Sequence, residues 1–316
     1  MKKNNVSIII LSYNPVLSKL LNTIKSAIVQ KNVDFEVIVA DDGSKNDFEK
    51  EVTSFFNNNN FSNYKLVFNK ENNGTVKNAL SGLKVASGEY VYLVSQGDYI
   101  FDEFVIADFY QFAKQNKAKV CFGDYVNYSL SDDLNINTDI LFPPIVSVYQ
   151  KGFKYYKTSF FLGGNIMGAS FLRERIFAIE SFENISKYSK YTEDTTSTAY
   201  ALMNNIRVYY FQRKIVWYES NTGIHSSSDN WQKRMKRDVH NTYRALLAQY
   251  PHDRVLDAGV MLTGDILADA NVFSQNARIF IKHPIICVRK KKINRLPKRV
   301  ITVSEKEIEY LKSIIS

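Results

Sequence analysis

The chain is poor in cysteine and in long apolar runs, and each shortage excludes a class of protein. Only two cysteines, Cys121 and Cys287, occur among its 316 residues. Two thiols are too few for a disulfide framework and fit a reducing compartment, so we expect both to lie in apolar packing rather than to act as nucleophiles. No stretch approaches the roughly 18 apolar residues that a membrane-spanning helix needs.

Other features that the sequence lacks exclude further classes of protein. The apolar run at residues 6–11 is too short for the core of a signal peptide and is typical of a buried strand, so we expect a cytoplasmic protein. Internal repeats are absent. With 45% hydrophobic and 23% charged residues, the composition excludes a disordered or fibrous protein.

Positive charge is in excess. Lysine and arginine number 41 against 32 acidic residues, which gives a formal net charge of +9. This balance suits an anionic partner, which composition leaves open between a phosphorylated small molecule, nucleic acid and an anionic membrane face. We expect no nucleic acid, because the basic residues collect late in the chain and no nucleic-acid-binding motif surrounds them.

Strand and helix patterns alternate through the first hundred residues, which predicts a parallel sheet covered by helices. The predicted strands are residues 6–11, 35–40, 64–68 and 90–94. Polar side chains follow three of these strands: Ser12 and Tyr13, then Asp41 and Asp42, then Asp98. Because open α/β sheets bind ligands at the carboxyl ends of their strands, these residues predict a ligand site.

The alternation weakens beyond residue 116. We expect a strand at residues 119–124, a polar loop at 129–139, a helix after Thr192, and two short strands at 208–211 and 215–218. From residue 230 onward the periodicity of apolar residues becomes helical.

The residue types at the strand ends suit a nucleoside diphosphate. Tyr13 can stack on a base, and Asp41 or Asp42 can accept hydrogen bonds from a pyrimidine N–H or a ribose hydroxyl. Lys77 follows Asn73 at the start of a predicted helix, where a cation and the helix N–H groups can approach phosphate. Taken alone, the Asp-Asp-Gly-Ser segment is equally typical of a turn and helix cap.

The order of the motifs resembles that of family 2 glycosyltransferases with the GT-A fold. The motifs are VSIIILSYNP, EVIVADDGS and ENNGTVKNALSGLKVASGEYVYLVSQGDYI, followed by GASFLRERIF, YTEDTT and WYESNTGIHSSS. The resemblance is specific as a series rather than in any single motif. It implies a mixed, mainly parallel α/β sheet flanked by helices. It also implies an enzyme that moves a sugar from a nucleotide-diphosphate donor to a hydroxyl with inversion.

The resemblance also assigns regions and nucleotide-binding residues. Residues 1–228 would be the GT-A domain, with a nucleotide-binding half at 1–100 and an acceptor half at 101–228, and residues 229–316 a basic helical extension. The implied donor is a UDP-sugar, whose base would meet Tyr13 and Asp42. The other nucleotide-binding residues would be Ser12, Asp41, Asn73 and Lys77, the lysine replacing the family's usual arginine.

The metal motif departs from the family pattern. The family ends this strand with two aspartates one residue apart, whereas Ser95-Gln96-Gly97-Asp98 keeps only the last carboxylate. A cation that bridges a diphosphate needs few protein ligands, so the resemblance still implies Mn²⁺ or Mg²⁺ on Asp98, alone or with His225. The alternatives are that Asp98 caps a helix near Glu103 and that His225 is a surface histidine.

Under the same resemblance the general base is Asp194, which would take a proton from the acceptor hydroxyl, with Glu193 beside it. The alternative is an acidic first turn that only offsets the helix dipole. The acceptor candidates are Gly164, Asn165 and Trp217, although a tryptophan at a strand end is equally typical of a core. The implied acceptor is a glycan on a lipid carrier or a protein, as in polysaccharide biosynthesis or protein glycosylation.

Two alternatives stay open at this point. Loss of the metal-motif aspartates favours a catalytically degenerate GT-A module that holds a glycan or partner protein, whereas retention of Asp194 and Lys77 favours the enzyme. Apolar residues from Ile279 to Ile286 lie among basic residues from Lys282 to Lys292. That segment is either a site of peripheral contact with the inner face of a membrane or the solvated face of a packed helix.

Overall fold

The computed structural model describes residues 4–130, 136–163, 171–220, 229–299 and 302–316. Within these residues nine strands form one sheet: β1 (Val6–Ser12), β2 (Phe35–Asp41), β3 (Tyr64–Phe68), β4 (Tyr90–Ser95), β5 (Tyr99–Ile100), β6 (Val120–Leu130), β7 (Ile136–Phe142), β8 (Phe171–Glu174) and β9 (Val208–Glu219). The helices of the first 220 residues are α1 (Leu17–Ile28), α2 (Glu49–Asn58), α3 (Thr75–Val85), α4 (Val105–Gln115), α5 (Ser147–Gln150), α6 (Phe153–Gly163), α7 (Arg175–Ile185) and α8 (Glu193–Met203). The later helices are α9 (Asp229–Gln249), α10 (Arg254–Leu267), α11 (Val272–Lys282), α12 (Pro284–Asn294) and α13 (Glu305–Ile315).

The sheet is mixed and mainly parallel, as the resemblance implied. Its order is β3-β2-β1-β4-β8-β6-β9-β5, and β7 pairs with β6. β3, β2, β1 and β4 run parallel to one another, and β6 runs parallel to β9. β8 is antiparallel to both β4 and β6, and so joins the first four parallel strands to the pair formed by β6 and β9. Every residue of β1 is buried, because helices cover both faces of the central strands.

Two predictions for the acceptor half are wrong. The predicted polar loop at residues 129–139 includes the end of β6 and the start of β7, which pair antiparallel. The two short strands predicted at 208–211 and 215–218 form the single strand β9. Its polar middle residues only make an irregularity in the ladder to β6, where Lys214 is opposite Asp124.

Side chains that alternate along the central strands fill two cores, one on each face of the sheet. Ile9 and Ile38 lie in the core covered by α3, α7, α8, α9 and α10. Ile8 and Val37 lie in the opposite core, covered by α1, α2, α4 and α13. Cys121 is buried in this second core as expected, and its thiol donates to the Leu172 carbonyl.

The extension at residues 229–316 is helical, and it completes both cores. Tyr243 of α9 and Leu256 of α10 are buried in one core, whereas Leu311 and Ile314 of α13 are buried in the other. The boundary at residue 228 stays a prediction. In the part of the chain that the structure describes, no helix combines the length and apolar character needed to cross a membrane.

Candidate active site

The loops after β1 and β2 are tied together at the carboxyl edge of the sheet. The backbone N–H and hydroxyl of Ser44 both donate to the Asp41 carboxylate, at 2.7 and 2.6 Å. The same hydroxyl accepts from the Asn14 N–H at 2.7 Å. Both oxygens of Asp41 therefore stabilise its own turn, which is the turn role that the sequence left open for this segment.

Asp42 holds the loop that leads into α3. Its two carboxylate oxygens accept from the N–H groups of Asn73 and Gly74, at 2.9 and 2.8 Å. Burial, together with the neighbouring Asp41 carboxylate, raises the pKa of Asp42. Gly74 has a φ of 89°, and a Cβ there would lie 2.6 Å from the carbonyl oxygen of Lys190, so only glycine fits.

Of the other nucleotide-binding candidates, Tyr13 and Lys77 have exposed side chains. The Tyr13 side chain is 44% exposed at the end of β1, whereas Ser12 is buried and its hydroxyl donates to Gln96 at 3.0 Å. Lys77 is exposed in the first turn of α3. Asn78 in the same turn was not predicted: its amide donates to the Ala40 carbonyl at 2.9 Å and so fixes α3 against the end of β2.

The predicted base lies at the start of α8, beside a buried arginine that sequence reasoning missed. Arg173 on β8 donates through Nη2 to Asp194 at 3.0 Å and to the Ser197 hydroxyl at 3.1 Å. Its guanidinium also lies over the ring of Phe171, 4.4 Å from the centroid. The one available signal was a single arginine within the apolar strand sequence Phe-Leu-Arg-Glu.

Glu193 is next to Asp194 in the first turn of α8. Burial and the adjacent Asp194 carboxylate raise the pKa of Glu193 well above its ordinary value, and the two side chains share a hydrogen bond. Asp194 also accepts from Arg173. The Asp194 carboxylate is thus held by both neighbours.

Asp98 is buried near other carboxylates, one of which is that of Asp194. It is 6% exposed and accepts from the Glu219 N–H at 3.2 Å. Burial, reinforced by the carboxylates of Glu219 and Asp194, raises the pKa of Asp98 well above its ordinary value. Lys19 pairs with Glu219 at 2.7 Å. Asp98 does not cap α4, because β5 and a further turn separate it from that helix.

Asp98 is the metal-ligand candidate that lies within the described residues, near the carboxylates of Glu219 and Asp194. No group of three His, Cys, Asp or Glu side chains placed to hold a metal ion occurs within the described residues. His225 lies outside those residues. A buried carboxylate facing two other acids is nevertheless a site where a cation would relieve repulsion, and a single protein oxygen suffices when phosphate oxygens complete the shell.

Trp217 is in the core, so its prediction as an acceptor platform is wrong. It is fully buried, its ring stacks on Phe101 with centroids 4.4 Å apart, and its N–H donates to the Phe101 carbonyl. Strand β9 directs this side chain inward, which leaves no ring face for a sugar. Gly164 and Asn165 lie outside the described residues.

A carboxylate from the C-terminal extension anchors the loop before the base. Asp238 on α9 accepts from the N–H groups of Lys190, Tyr191 and Thr192 at 2.9 to 3.1 Å, and from the hydroxyls of Ser189 and Thr192. The same loop reaches the nucleotide half, where the Lys190 carbonyl accepts from the Val76 N–H of α3 at 3.1 Å. Asp238 thereby connects α9, the loop before Glu193 and the start of α3.

Comparison with known families identifies the group to which this fold and site belong. A model described as glycosyl transferase family 2 matches residues 7–177, more than half of the chain. The chain belongs to glycosyl transferase family 2. Glycosyltransferase GlyG of Streptococcus pneumoniae serotype 4 is 30% identical over 128 residues, which cover 40% of this chain and 41% of GlyG. The chain thus matches about two-fifths of the length of this curated relative.

Solved structures of glycosyltransferases share the fold. S. aureus TarS 1–349 in complex with UDP-GlcNAc is similar with a TM-score of 0.60 and 16% identity, over 98% of this chain and 88% of that one. The mannosyltransferase PcManGT from Pyrobaculum calidifontis, in complex with GDP-Man and Mn²⁺, gives a TM-score of 0.58 and 12% identity, over 99% and 79%. The predictions of a family 2 glycosyltransferase enzyme, of the GT-A fold and of a helical C-terminal region are confirmed.

Proposed function

We propose that this family 2 protein transfers a sugar from a UDP-sugar to a hydroxyl of a glycan acceptor, with inversion at the anomeric carbon. The observation that carries the proposal is the Arg173–Asp194 pair at the start of α8, with Asp98 close to it. A structural acid at a helix start would have no need of a buried arginine, whose desolvation is costly unless it is paired.

In this proposal Asp194 is the general base. Arg173 and Glu193 hold its carboxylate in one orientation, and it takes the proton from the acceptor hydroxyl as the oxygen attacks the anomeric carbon. The bond to the diphosphate breaks on the opposite face in the same displacement, which inverts the centre. The acceptor would be a glycan on a lipid carrier or protein, and a lipid carrier would bring the enzyme to a membrane surface.

The donor would lie along the strand ends. Tyr13 offers an exposed ring for the base, and Asp42 has lone pairs left for a uracil N–H while it holds the loop of Asn73. Ser12 and Asp41 support these loops, and Lys77 with the N–H groups of α3 would face the diphosphate. The S. aureus TarS structures with UDP and with UDP-GlcNAc support a uridine nucleotide on this fold.

A divalent cation is part of the proposal. Asp98, alone or with His225, would hold Mn²⁺ or Mg²⁺, which when bound supplies positive charge to the departing diphosphate. The PcManGT structure with GDP-Man and Mn²⁺ supports a metal on this fold. A cytoplasmic location, peripheral on the inner face of the membrane, remains a prediction.

A second candidate is a module that binds a glycan or partner protein without catalysis. The observation that favours it is Gln96, which stands at the end of the metal-motif strand and is occupied in hydrogen bonds with Ser12 and the Tyr13 carbonyl. An amide in this position cannot supply the second carboxylate of a metal site.

One experiment separates the two candidates. The purified protein is incubated with UDP-, GDP- and dTDP-sugars, a panel of glycan acceptors and Mn²⁺, while transfer and nucleotide release are measured. We expect activity with a UDP-sugar that Asp194→Asn reduces by a factor of about a hundred or more, since positioned bases contribute at least that much. UDP affinity by calorimetry should not change. Arg173→Gln should lower kcat in the same way.

Glu305→Gln, in the exposed first turn of α13, is the matched control and should keep full activity. Transfer at the wild-type rate by Asp194→Asn would remove Asp194 as the base. UDP binding without transfer or hydrolysis of any donor sugar would favour the binding module.

A further inference from the structure

The outward side of the α11–α12 hairpin carries a cluster of exposed large apolar side chains. Among the described residues twelve large apolar side chains are exposed, and six of them fall within the 17 residues 272–288. Phe273 and Ile281 are 83% and 82% exposed. We call this set the α11–α12 face; its members are Val272, Phe273, Phe280, Ile281, Ile285 and Val288.

The α11–α12 face is not the packing surface of these helices. Ile279 and Ile286 of the same helices point inward and are buried against Leu162 and Ala258. The hairpin is therefore already docked on α6 and α10 through its other side. The helices are thus packed on the rest of the protein through one side, and the six apolar residues of the α11–α12 face lie on the side turned to solvent.

The same region carries the whole charge excess of the chain. Residues 270–304 contain nine of the 41 lysines and arginines and none of the 32 acidic residues, so the rest of the chain is balanced at 32 of each. Some of the nine are paired: Arg278 with Asp265, and Lys282 with Asp257. Four others are exposed and have no acidic partner among the described residues, namely Lys291, Lys292, Arg295 and Lys298.

Helix geometry places two of these cations, Lys291 and Lys292, beside the apolar side chains. Ile285, Val288 and Lys292 are three and four residues apart on α12, so they share one side of the helix. Lys291 lies three residues after Val288, next to the same side. An apolar surface edged by unpaired cations matches the boundary between acyl chains and anionic headgroups.

We propose that the α11–α12 face docks on an anionic lipid bilayer, with its six apolar side chains among the acyl chains and Lys291, Lys292, Arg295 and Lys298 at the headgroups. The charge argues against a second copy of this chain as the occupant, because two such faces would bring like charges together. The inference goes beyond the proposed sugar transfer and does not depend on the donor.

Flotation with lipid vesicles tests the apolar contribution. We expect the full-length protein to float with vesicles of equal parts phosphatidylcholine and phosphatidylglycerol and to stay behind with phosphatidylcholine alone. Phe273→Ser and Ile281→Ser should each weaken binding about tenfold, the loss expected for one large apolar side chain left out of the acyl region. The control is Ile176→Ser on α7, where an equally apolar side chain is 68% exposed and should not matter.

Charge reversal tests the cationic contribution. Lys291→Glu and Lys292→Glu should each weaken binding to the anionic vesicles by a factor of at least about five, from an attraction of about 1 kcal/mol per cation. Added salt should weaken wild-type binding as well. Lys50→Glu, an exposed lysine of α2, makes the same change in net charge elsewhere and should have a much smaller effect.

The outcomes are distinct. Binding of the Phe273→Ser and Ile281→Ser variants equal to wild type overturns the proposal. So does a wild-type dimer in sedimentation that Phe273→Ser dissociates, because the face would then be an interface between copies. UDP affinity measured on every variant separates the two claims: lost vesicle binding with UDP binding retained supports the face, whereas vesicle binding without any UDP binding contradicts only the proposed donor.

Discussion

Glu36 shows how much one buried carboxylate can organise near the start of the sheet. It accepts from the Ser7 hydroxyl at 2.6 Å and from the Ser87 N–H at 2.6 Å, and it pairs with Lys65 at 2.7 Å. Burial alone would raise its pKa, but the donors from Lys65, Ser7 and Ser87 outweigh burial, and the pKa lies below the ordinary 4.5. The ionised form is therefore the one that the fold stabilises.

Glu36→Gln should lower the free energy of unfolding at neutral pH by about 1 to 3 kcal/mol, because it leaves buried donors without their charged acceptor. A lowered pKa means that the stabilisation is present above 4.5 and is lost as pH falls through the folded-state value. Urea unfolding at several pH values should thus show a gap between wild type and variant that closes in acid. The control is Glu51→Gln, at an exposed residue of α2. A gap that widens in acid would contradict the stabilisation by ionised Glu36.

Asp98 leads to a prediction about metal dependence. As the single carboxylate kept from the family's metal motif, it should hold Mn²⁺ weakly until diphosphate oxygens complete the shell. Calorimetry should detect little Mn²⁺ binding to the protein alone and a rise in UDP affinity when Mn²⁺ is added. Asp98→Ala should abolish the rise and leave metal-free UDP binding nearly unchanged. Equal UDP affinity with Mn²⁺ and with chelator would remove the metal from this site.

At the scale of elements, Asp238 makes α9 part of the active site. We expect Asp238→Ala to lower kcat on the order of a hundredfold, with a smaller change in KM for the donor. The reason is that the loss of its five hydrogen bonds lets the loop before Asp194 move away from the acceptor. Amide exchange by mass spectrometry should become faster at residues 190–192.

The control is Lys236→Ala, at an exposed residue of the same helix, which should change neither kcat nor the rate of amide exchange. Faster amide exchange with an unchanged kcat would show that order in this loop is not required for transfer.

The elements also show where sequence reasoning is sufficient. The first four strands are predicted to within one residue, because each is a mainly apolar segment of strand length bounded by polar turns. β9 was divided in two because residues 212–214 are polar, and only its pairing with β6 shows that the ladder continues. β7 was missed because its sequence, Ile-Asn-Thr-Asp-Ile-Leu-Phe, has three consecutive polar residues after its first position, which resemble a loop.

The residues of the candidate site could also be predicted only in part from the sequence. Asp41 and Asp42 were placed correctly at the strand ends, since parallel strands end at one edge of a sheet. Arg173 and Asp238 were not found, because their partners lie 21 and 46 to 49 residues away and only the packing of β8 and α9 brings them together. Trp217 was left open between the acceptor pocket and the core, because its sequence position at a strand end does not reveal which way the strand turns its side chains.

For the whole molecule, the two cores share one sheet, so they should unfold together. Leu311 of α13 is fully buried against the first helix and strands. Leu311→Ala should destabilise the protein by about 2 to 5 kcal/mol through lost burial and a residual cavity. Urea unfolding followed by circular dichroism and by tryptophan fluorescence should show a single transition that shifts to lower urea concentration. The control is Lys312→Ala at the next residue, which is exposed, and it should leave the transition unchanged. Two separate transitions would contradict a shared core.

The whole charge excess of the chain lies in residues 270–304, which include the α11–α12 face. A molecule whose charge is unevenly distributed experiences a torque in the field of an anionic surface, and that field extends about 8 Å at physiological salt. In the proposed docking, this torque would turn the α11–α12 face toward the surface before any atoms touch. Orientation of this kind raises the fraction of encounters that lead to binding and has little effect on the lifetime of the bound state. Lower salt should therefore raise the association rate constant with anionic vesicles far more than it lowers the dissociation rate constant.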